Sequence, residues 1–130
     1  MPFLMSIRII AWLAAPLVVL AISSNAMAKS YRWQCVYSQY ASPKGLAKEH
    51  FTIEFAFDDI TGKAVMIGSL GLADVEAHMG NNGITFLEKL VGGVVQTTTV
   101  AMSGKSVHSR HSILGAEIIP SQYYGQCRVQ

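Results

Sequence analysis

The residues best placed to do chemistry fall in one stretch: Gln96, Thr98, Ser109 and His111. Gly104-Lys105 lies between two runs of period-two alternation, and a two-residue turn there would set Met102 against Val107, Val100 against Ser109, Thr98 against His111 and Gln96 against Ile113. The apolar members of that face point it inward, so the four polar side chains form an interior cluster. Burying such groups costs a few kcal/mol each unless they are hydrogen-bonded. The cluster is therefore either a satisfied network that fixes strand register or the lining of a cavity for a small polar ligand. A slip of one residue would turn it to solvent. On the opposite face of the same hairpin fall Thr97, Thr99, His108 and Arg110, where an acidic partner could be received.

Other chemistries fit less well. Ser109 and His111 are two apart on one strand, roughly 6–7 Å at Cα, and no third group or nucleophile elbow accompanies them. His108 and His111 are three apart and so point to opposite faces, while His50 and His78 stand alone, so no zinc-ligand set is expected. No phosphate-cradling glycine motif or dinucleotide fingerprint occurs, and no cofactor is expected. Asp58-Asp59 reads as a turn. Glu88 shares parity with Ile84 and Phe86, which points it inward, although its place at a strand end favours solvent.

The elements that must position these residues are strands. Phe51, Ile53, Phe55 and Phe57 alternate with Thr52, Glu54 and Ala56; Ala73, Val75, Ala77 and Met79 alternate with Asp74, Glu76 and His78. Further strands are expected over 31–37, 63–67, 84–88, 94–102, 106–113 and 122–129. Turn signals such as Gly80-Asn81-Asn82-Gly83 and Ser103-Gly104-Lys105 separate them. The expectation is an all-β domain, a small antiparallel eight-stranded meander closed as a barrel or packed as a sandwich. Segments 38–49 and 68–72 are the least regular. The first reads as a connection of about 12 residues, with room for one helical turn over Leu46-Ala47-Lys48, and long connections tend to carry binding residues.

Cys35 and Cys127 are the two cysteines. Their wide spacing is unlike a redox or zinc motif, and one bridge between them would staple the first strand to the last. Closing a loop of about 90 residues contributes about 4–5 kcal/mol in the chain-entropy view. Such a bond needs an oxidising compartment. Residues 1–28 agree: Arg8, an apolar run from Ile9 to Ile22 and a final Ala26-Met27-Ala28 read as a cleaved secretory signal. Pro16 interrupts the run, which is shorter than the ~20 residues of a bilayer span. No cysteine at its end offers a lipid attachment point, so no stable membrane anchor is expected after cleavage. Residues 29–130 then form a single domain. They hold all eight acids and nine of the ten Lys and Arg, a near-neutral balance that argues against nucleic acid, whose phosphates require a basic stripe.

Segments 83–88, 95–99, 107–111 and 121–127 resemble a family of small exported bacterial proteins whose activity is uncharacterised. The order of signal, early cysteine, eight short strands and late cysteine is also similar to that of the periplasmic lysozyme inhibitors. The resemblance implies a periplasmic or secreted protein and a β-barrel that acts through a protruding loop. The leading expectation is a non-enzymatic exported barrel that binds a small polar ligand, through Gln96, Thr98, Ser109 and His111, or a protein partner. A lysozyme-type inhibitor would instead use an exposed loop, with Tyr40, Ser42 and Lys44 as its candidates. A small hydrolase or metal-dependent enzyme is the third class.

Overall fold

The computed structural model describes residues 29–130; the expected signal at 1–28 lies outside the described residues. Eight antiparallel strands follow one another: β1 (Ser30–Ser42), β2 (Gly45–Asp58), β3 (Ala64–Gly68), β4 (Gly71–Gly80), β5 (Gly83–Lys89), β6 (Val95–Ala101), β7 (Lys105–Leu114) and β8 (Glu117–Val129). Each pairs with its neighbour in sequence, and β1 pairs with β8 to close the barrel. At that seam Cys35 stands directly opposite Cys127, and the two are joined by a disulfide. A bridge of this kind fits an oxidising, exported setting.

Eight strands enclose an interior just wide enough for side chains to fill, and the alternation supplies them. Trp33, Cys35 and Tyr37 come from β1, Ile53, Phe55 and Phe57 from β2, and Ile84 and Phe86 from β5, all buried. Phe55 and Phe86 stack at 4.1 Å, and Trp33 meets Phe86 edge-on at 5.5 Å, the offset and edge-to-face arrangements aromatic quadrupoles favour. Phe57 is accommodated because its cross-strand partner is the small Ala64. The middle of the barrel is therefore filled, and among the described residues hollows open at both of its ends.

Strand lengths are unequal, and this shapes one end. Loops that follow β1, β3, β5 and β7 all lie at that end, as a meander requires. β2 pairs with β3 only from Glu54 onward, and β7 pairs with β6 only as far as Arg110. Beyond those points β2, β1, β8 and β7 continue as a four-stranded flap that rises on one side of the opening. The segment 38–49, expected as an irregular connection with a helical turn, is instead the tight hairpin of this flap, turning at Pro43-Lys44. Its residues from Pro43 to Glu49 are all exposed, so they leave no alternation to read.

The flap bends from the barrel wall at a bulge. Register on β1 shifts between Tyr37 and Gln39, towards both β2 and β8. Against β8 the extra residue is Ser38, whereas against β2 the surplus residue lies on β2, where Glu49 and His50 oppose Ser38 alone. The bulge kinks the strand, and beyond it Tyr40 stands opposite Tyr123, with rings 4.9 Å apart. Gly125 faces the kink because the β1 backbone comes too close for any side chain. A Cβ there would lie on the Val36 carbonyl oxygen and 2.6 Å from Tyr37 Cα. Gly125→Ala is expected to lower stability by about 1–3 kcal/mol, the usual cost of overpacking. A chemical denaturation midpoint unchanged from wild type would contradict the account.

Candidate functional site

Register at the β6–β7 hairpin decides which polar groups meet. The connection is the three-residue loop Met102-Ser103-Gly104: Gly104 N–H donates to the Ala101 carbonyl at 2.9 Å, and Gly104 has φ +90°. A turn followed by a glycine in the left-handed region is a common three-residue hairpin form. Val100 pairs with Ser106, Thr98 with His108 and Gln96 with Arg110. This differs by three residues from the register expected of a two-residue Gly104-Lys105 turn. Three is odd, so every β7 side chain changes face.

The expected quartet is accordingly split. Gln96 and Thr98 do face inward. Ser109, which pairs with Thr97, and His111, which pairs with Pro120 in the flap, fall on the outer face. Ser106, His108 and Arg110 take the inward positions instead, and His108 and Arg110 are thus moved from the outer face on which the sequence had placed them.

Two polar networks result. The Ser106 hydroxyl donates to the Thr99 carbonyl at 2.9 Å, so the Tyr37 hydroxyl, also 2.9 Å from it, must be the donor to Ser106. Burial pushes the Tyr37 phenol up to about 12, with the Ser106 contact pulling the other way. Thr98 Oγ1 and His108 Nδ1 share a 2.7 Å hydrogen bond. His108 sits among the rings of Tyr37, Phe51 and Tyr123 at 5.6–6.1 Å. That burial, reinforced by the positive charge of Arg110, drives its pKa down to about 4. The imidazole is neutral at physiological pH. Deep in the barrel, these groups form a satisfied, register-fixing network.

Nearer the opening, the same strands line a cavity of about 320 Å³ between β2, β3, the β3–β4 turn and β5–β8. Cross-strand pairing places Glu88, Gln96, Arg110 and Ser121 side by side in one row, with Phe86, Thr98, His108 and Tyr123 in the row beneath. Gln96 Nε2 donates to Glu88 Oε2, so the carboxylate is held at the rim, half-buried on the inward face, where its place at a strand end had favoured solvent. Burial raises the Tyr123 phenol, and the nearby Glu49 and Tyr40 add to the effect while Arg110 opposes it. The facing wall is apolar, made of Phe51, Ile53 and Met66 with Leu70 and Leu72 above them. One wall is thus polar and the other is not.

A second hollow, of about 430 Å³, opens at the other end beneath Trp33, Met79, Ile84, Val100 and Met102, and no titratable side chain lines it. The chemistry is concentrated at the flap end. Of the loop candidates, Lys44 is exposed at the hairpin tip, Ser42 is half-buried with its hydroxyl accepting from Lys44 N–H at 3.2 Å, and Tyr40 is packed on Tyr123. They do not form one exposed epitope.

The fold and site define a small closed up-and-down β-barrel, disulfide-stapled, with a filled centre and an amphipathic mouth. No family model, curated protein or solved structure matches the chain.

Proposed function

We propose that this chain is an exported binding protein, periplasmic or secreted, whose mouth takes a small molecule with a polar end and an apolar body. The observation that carries the reading is the two-walled cavity at the flap end. Pockets of about 300–1,000 Å³ with a few convergent polar groups on an apolar lining are the usual form of small-ligand sites. Rigid strands hold the polar groups, so binding would need little reorganisation. Screening the labelled protein by NMR against small amphipathic compounds tests it. Hits are expected to move the amides of Gln96, His108, Arg110 and Tyr123, and Arg110→Ala is expected to weaken them by about tenfold, the equivalent of one charge-assisted hydrogen bond. Shifts confined to the Met79–Met102 end would refute the assignment.

A second reading has its own support. Leu46, Leu70, Val91, Leu114 and Ile118 are exposed on the loops and hairpins of the flap end, and apolar side chains exposed at one end of the barrel favour a protein partner. The resemblance of the sequence layout to that of the periplasmic lysozyme inhibitors would fit this reading. This reading places the energy on the rim and not in the cavity.

A further inference from the structure

The mouth carries two opposite charges, half-buried Glu88 and exposed Arg110, that form no ion pair with one another. Glu88 and Arg110 stand on β5 and β7 with Gln96 of β6 between them in register, so their backbones are two strand spacings apart, roughly 10 Å. Both side chains line the cavity. Each is long enough to lean over Gln96 towards the other. They do not meet: among the described residues the ion pairs are Arg32–Glu54, His78–Glu76 and Lys89–Glu76. Gln96 instead ties the Glu88 carboxylate in place, and among the described residues the Arg110 guanidinium makes no side-chain hydrogen bond. Tethered in this way, the carboxylate is preorganised to accept from an ammonium group. The free planar fork of Arg110 suits a carboxylate, which it can grip with two parallel hydrogen bonds.

The floor and the opposite wall complete the picture. His108, neutral, and Tyr123 form the row beneath the charges, and Phe51, Ile53 and Met66 face them across the cavity. Resting on the proposal that this mouth binds small molecules, we infer that its ligand class is the amino-acid-like zwitterion with an apolar side chain: ammonium to Glu88, carboxylate to Arg110, side chain against Phe51, Ile53 and Met66. An uncharged lipid would use neither charge, and a simple fatty acid would pair with Arg110 but give Glu88 no partner. A molecule with both signs at one end and an apolar portion at the other matches Glu88, Arg110 and the apolar wall together.

The test uses L-phenylalanine and L-leucine, each alongside its N-acetyl derivative, its amide and its doubly blocked N-acetyl amide, titrated into the labelled chain spanning 29–130 with its disulfide intact. The free amino acids are expected to bind best, and blocking either charge is expected to weaken binding by about tenfold. Glu88→Gln, which keeps an acceptor for Gln96, should erase the distinction between free and N-acetylated forms. Arg110→Gln should erase the distinction between free and amidated forms. Unaltered amide spectra away from the mouth establish that both variants fold. If N-acetyl or amide forms bind as well as the zwitterion while still shifting Gln96 and His108, the zwitterion inference is overturned and the mouth remains a binding site. If no probe, including the doubly blocked forms, moves the mouth amides, both fall together.

Discussion

Replacing Cys35 and Cys127 by alanine is expected to remove about 4–5 kcal/mol of stability, the chain-entropy value for a bridge spanning 92 residues. Domains of this size hold only about 5–15 kcal/mol in total, so the variant should be largely unfolded at body temperature or close to it. The size of the effect follows from the bond's position. It joins first strand to last across the one contact, β1 with β8, that chain continuity does nothing to favour. All other strand pairs are sequence neighbours joined by short connections, and their closure is cheap. Both sulfurs lie in the core beside Tyr37, whose hydroxyl is 4.0 Å from Cys127 Sγ, so loosening the seam also exposes the polar network behind it. Urea unfolding with and without reductant measures this. A midpoint that moves by less than the equivalent of about 1 kcal/mol would show that the ladder closes unaided.

Acidification is the second large expected effect. His108 has its pKa lowered from 6.5 to about 4 by burial and by Arg110, so the unfolded chain binds a proton that the folded chain refuses. Stability attributable to this group is complete above pH 6.5 and is lost as pH falls towards 4, where the folded ring also titrates. At 1.36 kcal/mol per unit the loss is about 3 kcal/mol. The ring is 3% exposed, so solvent screening takes little from that figure. Asp58 and Glu76 have lowered carboxylate pKa values and act only in a more acidic window, below 4.5. Tyr37 supplies the alkaline counterpart: with a pKa raised from 10.0 to about 12, its contribution is present below pH 10 and lost as pH rises through 12. Stability measured from pH 4 to 7 in wild type and in His108→Gln should show a slope in the former that the latter lacks; parallel slopes would contradict the assignment.

Most of the architecture was legible because it is written in period two. Phe51, Ile53, Phe55 and Phe57 can share a face only in an extended strand, and their partners Trp33, Phe86 and Val100 follow the same rule. Turn residues cut the chain at close to the observed places, and the two cysteines marked the seam. The site was half legible. Gln96 and Thr98 lie on β6, where Val100 fixes the inward face. On β7 the competing faces are Ser106-His108-Arg110 and Val107-Ser109-His111, both largely polar, so hydrophobicity could not choose between them and the turn alone had to. Ser103-Gly104 admits two loop lengths, because glycine supplies a positive φ in either. The missing information was tertiary: the Gly104 carbonyl accepts from Cys127 N–H at 2.7 Å, and a Cβ at Gly104 would lie 2.8 Å from the Cys127 carbonyl oxygen. The longer loop is thus held against the disulfide strand, a contact no local pattern announces.

The unequal strand lengths leave the flap with a cost of their own. Closing the barrel abolishes sheet edges, yet β2 from Gly45 to Ile53 has no neighbour on its outer side, and such a bare margin is a template for unwanted aggregation between molecules. Lys48, Glu49 and His50 stand in the middle of that margin, all exposed. Charge of both signs there guards this unpaired strand against self-association.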